Sequence, residues 1–162
     1  MSGGSRAPVE IERKFLVTGD AWQRGARAIS IRQGYLARSA DCVVRVRIAD
    51  RAATLTIKGR AHGLTTPEFE YPIPTDHALP LLELCQAAII EKTRYRVDHE
   101  GHSWEVDVFS GANAGLVLAE IELETEDEAF ARPAWLGVEV THDHRFKNSQ
   151  LCVKPFRDDW LR

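Results

Sequence analysis

From about residue 9 to residue 125 the chain is built of short runs in which every second residue is apolar, separated by clusters of small and turn-forming residues. Period-two alternation marks a half-buried β-strand, because successive side chains leave a strand on opposite faces. It predicts strands at Val9–Val17, Ile29–Ala37, Val43–Ala49, Ala53–Lys58, Pro67–Ile73, Ile89–Val97, Ser103–Phe109 and Leu116–Thr125. The breaks between them, such as Ser39-Ala40-Asp41, 59–63, Glu100-Gly101 and 110–115, have the composition of hairpin turns. Such breaks suit an antiparallel sheet or barrel rather than a parallel doubly wound fold. Thr75–Ala88 reads differently: Leu79, Leu81, Leu82 and Leu84 follow a candidate N-cap at Thr75 or Asp76, as in an amphipathic helix with Pro80 in or near its first turn. A short helix is expected at Asp127–Phe130, and Arg145 to Arg162 reads as helices broken near Pro155.

A chain of 162 residues with 44% hydrophobic content suits a single domain spanning 1–162. Its 24 acidic and 21 basic residues give a net charge of -3, which provides no global field for nucleic acid or an anionic membrane. Any affinity for a polyanion must be local. Cys42, Cys85 and Cys152 are widely spaced and form no C-x-x-C pair, so neither a disulfide framework nor a zinc site is expected. They read as small apolar fillers in a reducing compartment. Met1 to Pro8 carries no apolar signal region and no later run is long enough to span a bilayer, so the expectation is a soluble cytoplasmic protein.

The informative feature is how charge sorts between strand faces. Glu10, Glu12 and Lys14 share one face of the first strand, opposite Val9, Ile11, Phe15 and Val17. Arg45 and Arg47 oppose Val44, Val46 and Ile48, while Thr54, Thr56 and Lys58 oppose Leu55 and Ile57. Glu68 and Glu70 oppose Phe69 and Tyr71; Lys92, Arg94 and Arg96 oppose Tyr95 and Val97; Glu105 and Asp107 oppose Trp104, Val106 and Val108. Glu120, Glu122 and Glu124 oppose Ala119, Ile121 and Leu123. One such strand alone is the wet face of an ordinary sheet. Here acidic and basic groups segregate by strand, and so many strands dispose of their edges most completely by closing. The charged face is then the lumen, since an apolar lumen would leave the helices, Phe69, Tyr71, Tyr95 and Trp104 without a partner layer. Like charges about 4 Å apart repel by about 4 kcal/mol at an effective dielectric of about 20. The basic strands therefore ask for a polyanion, and the acidic ones for hard, oxygen-seeking cations such as Mg²⁺.

Glu10-Ile11-Glu12-Arg13-Lys14 has the form E-x-E-x-K. It is followed in order by Gln33-Gly34-Tyr35-Leu36, Val44-Arg45-Val46-Arg47, Leu55-Thr56-Ile57-Lys58, Ile90-Glu91-Lys92-Thr93-Arg94-Tyr95, Ala119-Glu120-Ile121-Glu122 and Arg145-Phe146-Lys147-Asn148. This series, spanning roughly Val9 to Leu151, resembles the CYTH or triphosphate tunnel metalloenzyme family, in particular its short single-domain bacterial members. The resemblance implies a mainly β (α+β) fold, a closed eight-stranded antiparallel β-barrel with flanking helices and a C-terminal helix near one mouth. It implies that Lys14, Arg45, Arg47, Lys58, Lys92 and Arg94 bind a triphosphate, with Arg145 reaching inward from the C-terminal segment. Glu10, Glu12, Glu120 and Glu122 become the ligands of Mg²⁺ or Mn²⁺, and Glu124 shares their face outside the motif. Glu68, Glu70, Glu105 and Asp107 become lumen residues that bind metal, position water or balance charge.

Lys14 and Tyr35 resemble a lysine–tyrosine pair that orients or deprotonates the attacking water, and crowding by Arg45 and Arg47 would lower the lysine pKa enough for such a role. The plainer alternative is phosphate binding by Lys14 and packing by Tyr35. Thr66 stands where relatives often carry an arginine, and Phe146 where they often carry a tyrosine. The implied activity is metal-dependent hydrolysis of inorganic triphosphate to pyrophosphate and phosphate. Adenylyl cyclisation of ATP, thiamine triphosphate hydrolysis and non-catalytic polyphosphate binding are the alternatives, and the retained carboxylates favour an enzyme. An exposed barrel wall leaves room for a homodimer. His142 and His144, without a partner cluster, read as surface histidines, and Trp22, Trp135 and Trp160 as packing residues.

Overall fold

The computed structural model describes residues 7–161. Its strands are β1 Val9–Val17, β2 Arg27–Arg38, β3 Cys42–Ala49, β4 Ala52–Gly59, β5 Thr65–Ile73, β6 Ile90–His99, β7 His102–Phe109, β8 Val117–Glu122 and β9 Leu136–Glu139. They pair in the order β5-β4-β3-β2-β6-β7-β8-β1-β9, and β5 also pairs with β1. The β1–β5 pairing, with Glu10 opposite Thr66, closes eight antiparallel strands into a barrel. Short β9 lies outside the eight and pairs with β1 through Phe15 and Val17. Neither β9 nor the irregular path of 123–135 carries an alternation long enough to mark an element in the sequence. The strand expected at Leu116–Thr125 stops at Glu122, and Asp127–Phe130 forms no helix.

The helical elements are smaller than expected. Helix α1 is Thr75–Glu83, capped from Pro74 rather than by a Thr75 or Asp76 side chain, with Pro80 in its second turn. The C-terminal segment consists of a 3₁₀ turn at His144–Phe146, helix α2 at Asn148–Leu151 and a 3₁₀ turn at Asp158–Leu161. Arg162, at the end of the expected C-terminal helices, lies outside the described residues.

Three apolar clusters hold the barrel. Outside β1, β7 and β8, the buried Ile11, Phe15, Trp104, Val106, Ala119 and Ile121 pack with Trp22, Trp135 and Phe130. Against β3 and β4, Ala78 and Leu82 of α1 cover Val46 and Ala53. The third cluster is on the lumen face. Tyr35, Ile90, Phe109 and Leu118 continue the inward-facing rows of Lys92, Asp107 and Glu120, and they pack against Phe146, Leu151, Cys152 and Phe156. The C-terminal segment therefore closes part of the interior with an apolar plug and leaves the charged part open. Tyr71, expected under a partner layer, is instead exposed. No helix among the described residues is long and apolar enough to cross a membrane.

Candidate active site

The lumen opens as a cavity of about 1220 Å³ whose wall includes Glu10, Glu12, Lys14, Tyr35, Arg45, Arg47, Lys58, Glu68, Glu70, Arg94, Glu105, Glu120, Glu122 and Glu124. Alternation puts all of these side chains but Glu124, which lies beyond β8, on one face of their strands, and register decides which of them meet. Glu12 lies opposite Glu122 and Lys14 opposite Glu120 across β1 and β8. Arg94 faces Asp107 across β6 and β7, Tyr35 faces Arg45 across β2 and β3, and Lys58 faces Glu68 across β4 and β5.

The cations are held by carboxylates from neighbouring strands. The Lys14 ammonium lies 2.9 Å from Glu120 and 3.6 Å from Glu12. Lys58 donates to Glu10 and lies 2.7 Å from Glu68. The Arg45 guanidinium donates to Thr56 at 3.0 Å and to Glu70 at 3.3 Å, while its buried Nε has no partner. Arg94 forks onto Asp107 at 2.7 and 2.8 Å and also contacts Glu120 and Glu105.

Two expected triphosphate ligands sit elsewhere. Lys92 is fully buried beneath the cavity wall, 2.5 Å from Asp107 and 3.1 Å from Asn148 of α2, so its charge is spent on the floor of the barrel. Arg145 is 47% exposed, forks back onto Asp143 and lies over the Phe146 and Trp160 rings, so it does not reach inward. Lys147 and Asn148 of the same segment line the cavity instead. Both stand in the Arg145-Phe146-Lys147-Asn148 motif, where residue type alone assigns them no role. The same holds for Gln33 and Thr56, which are fully buried and bonded to Arg47 and Arg45 respectively.

Burial and neighbouring charge set the protonation states. Burial pushes the Glu12 carboxyl up and Glu120 adds to this, while Glu122 is raised by burial and by Glu10, Glu105 and Glu68. Burial works to raise Asp107 and Glu120 as well, but Lys92 with Arg94, and Lys14 with Arg94, hold them low. Burial works to lower Lys14, yet Glu120 and Glu12 outweigh it and hold the ammonium above its ordinary range. The expected lowering by Arg45 and Arg47 does not occur, because Glu120 of β8 and Glu12 of β1 itself lie 2.9 and 3.6 Å from the ammonium. Burial likewise raises the Tyr35 phenol. Both groups are held as proton donors.

Glu10, Glu12, Glu120 and Glu122 offer hard oxygen donors of the kind a divalent cation takes, and burial together with acidic neighbours raises Glu12 and Glu122. Among the described residues no three acidic, His or Cys side chains are grouped to hold a metal, and Glu12, Glu120 and Glu10 pair instead with Lys14 and Lys58. His142 and His144 are exposed. All three cysteines are free.

The CYTH domain model matches residues 8–150. An inorganic triphosphatase of Acetivibrio thermocellus is 47% identical over 150 residues, 92% of this chain and 96% of that one. One of Nitrosomonas europaea is 38% identical over 149 residues, 89% of this chain and 97% of that one. A crystal structure of an inorganic triphosphatase superposes with a TM-score of 0.66 at 35% identity, covering 89% of this chain and 94% of that one. A Pyrococcus horikoshii structure shares the fold, with a TM-score of 0.58 at 21% identity over 73% of this chain and 80% of that one. Family membership carries with it a divalent metal cofactor, in keeping with the glutamate set of the lumen. With its ordered motifs, closed barrel and charged lumen, the chain belongs to the CYTH domain family.

Proposed function

We propose that this chain hydrolyses inorganic triphosphate to pyrophosphate and phosphate with Mg²⁺ or Mn²⁺. The observation that carries the reading is the lumen itself, in which Lys14, Arg45, Arg47, Lys58 and Arg94 share one cavity with Glu10, Glu12, Glu120 and Glu122. The names of the two relatives, both inorganic triphosphatases at 47% and 38% identity, support the choice of substrate. Phosphoryl transfer is served chiefly by positioning and charge neutralisation, which is what such a lumen offers.

Arg45, with its unpartnered Nε, and Arg47 offer planar guanidinium groups suited to phosphate oxygens, and Arg94, held by Asp107, Lys58 and Lys14 add positive charge to the wall. Glu10, Glu12, Glu120 and Glu122 would hold the metal, which supplies charge neutralisation at the phosphates and polarisation of the attacking water. As the polyanion draws Lys14 and Lys58 toward itself, their carboxylate partners are freed for the cation, so substrate and metal binding favour each other. Lys14 and Tyr35 act as donors that orient the phosphate or the water. Lys92 and Asp107 balance charge under the site, and Arg145 serves the mouth rather than the phosphates.

The test is phosphate and pyrophosphate release from inorganic triphosphate, ATP and thiamine triphosphate, with Mg²⁺, Mn²⁺ or EDTA, for wild type and Glu122→Ala. The expected result is turnover of inorganic triphosphate that EDTA abolishes, either metal restores, and Glu122→Ala lowers by roughly 10²-fold or more. Cyclic AMP from ATP, or preference for thiamine triphosphate, would overturn it.

A further inference from the structure

Of the cations that line the cavity on the inner strand rows, the exposed Arg96 aside, Arg47 stands apart. Lys14, Arg45, Lys58 and Arg94 each have a carboxylate partner within salt-bridge distance. Arg47 has none among the described residues. Its side-chain bond is to a neutral amide: Arg47 Nε donates to Gln33 Oε1 at 2.8 Å. Gln33 lies directly opposite Arg47 across β2 and β3 and is 0% exposed, behind the cavity wall. An arginine can only donate, so its approach fixes which end of the amide faces it. The amide nitrogen is thereby turned to the Tyr35 hydroxyl, 3.5 Å away, which accepts and keeps its own proton for a third group.

A glutamate has the same length and would accept the same Arg47 bond, but it would neutralise the cation and could not donate to Tyr35. An amide aims the guanidinium without satisfying its charge. Tethering through Nε leaves the two terminal nitrogens, which can grip two anionic oxygens at once, available to a ligand in the cavity that Arg47 lines. We propose that Gln33 is a positioning residue for the reaction, aiming Arg47 and Tyr35 into the lumen while leaving the Arg47 charge uncompensated for the phosphate chain. The assignment rests on the triphosphatase reading above and adds to it the origin of one strong phosphate contact. The Arg47 guanidinium is itself destabilised, pushed down to about 10 by burial and by Arg45 and Arg94, as suits a charge whose partner arrives with the substrate.

The test compares wild type, Gln33→Glu and Gln33→Met, alone and combined with Arg47→Gln, by steady-state hydrolysis of tripolyphosphate and by calorimetric binding of tripolyphosphate. Gln33→Glu is expected to raise KM about tenfold or more with kcat held within a few-fold, the pattern of lost uniform binding. Gln33→Met, which keeps volume but loses both bonds, is expected to lower kcat as well. The Gln33→Glu penalty should vanish in the Arg47→Gln background, because there is then no charge to neutralise. A wild-type KM in Gln33→Glu, or the same penalty with and without Arg47, would overturn the proposal and leave Gln33 a packing residue. If Gln33→Glu does not melt cooperatively, Gln33→Met decides, an unchanged kcat in a folded variant overturning the assignment. Should the wild type fail to hydrolyse tripolyphosphate, the activity reading falls, and the Gln33 assignment stands or falls on the binding arm alone.

Discussion

Asp107 shows how much one lumen residue can carry. It is fully buried and anchors both Lys92 and Arg94, so Asp107→Asn leaves Lys92 without its carboxylate and Arg94 without its bidentate one. Removing one partner of a buried ion pair costs about 3–5 kcal/mol, and urea unfolding at neutral pH should show a loss of that size. The pH sign follows from the direction of the shift. Asp107 is held below its ordinary 3.8 in the fold, so its stabilisation is complete above 3.8 and lost as pH falls through the lower folded-state value. The gap between wild type and Asp107→Asn should therefore close in strong acid. Arg47 carries the opposite expectation, since it is an unmatched cation in the substrate-free barrel. Arg47→Gln should leave the melting temperature unchanged or raise it, a gain of about 1 kcal/mol reading as roughly 2–4 °C, while weakening tripolyphosphate binding. At this scale the sequence reveals which side chains face inward, because alternation is local. It does not reveal which ones pair: Lys14 reads as crowded by arginines until register sets Glu120 opposite it.

At the scale of elements, β2 and α1 meet at Gly34. A Cβ there would lie 2.6 Å from the Cys85 Sγ and 2.8 Å from Ile89 Cδ1, so the strand packs against the segment after α1 only because the side chain is missing. Gly34→Ala should cost roughly 1–3 kcal/mol by overpacking, and adding Cys85→Ala should recover part of it, both read by thermal denaturation. The site would feel this shift, since Gln33 and Tyr35 flank Gly34. The strands were legible to within a few residues because each repeats its period over six or more positions. Strand β9 and the turns of the C-terminal segment span four residues or fewer, too short for a period to emerge. Asp127–Phe130 lacks helix because that stretch is shaped by its contacts. Glu128 accepts from the Glu124 backbone and contacts His102 at 2.9 Å, and Phe130 packs on Phe15 and Trp104.

For the whole molecule, an interior that mixes repelling cations with repelling carboxylates should be stabilised by the ligands it is built to bind. Tripolyphosphate at about 100 times its dissociation constant should add about 2.7 kcal/mol to stability and raise the melting temperature accordingly. Part of that gain comes from charged groups open to solvent through the cavity, so high salt should reduce it, and differential scanning fluorimetry at two ionic strengths checks both. The sequence by itself determined the antiparallel β class, the segregation of acidic and basic strand faces and the ordered motifs, because each is written in neighbouring residues or in their period. Only the tertiary structure decided the rest. It sent Lys92 to the floor and Arg145 to the surface, turned the C-terminal segment into an apolar plug, and left Arg47 facing an amide instead of an acid. These outcomes depend on register between strands far apart in the chain and on where one short segment docks, and no local pattern of side chains encodes either.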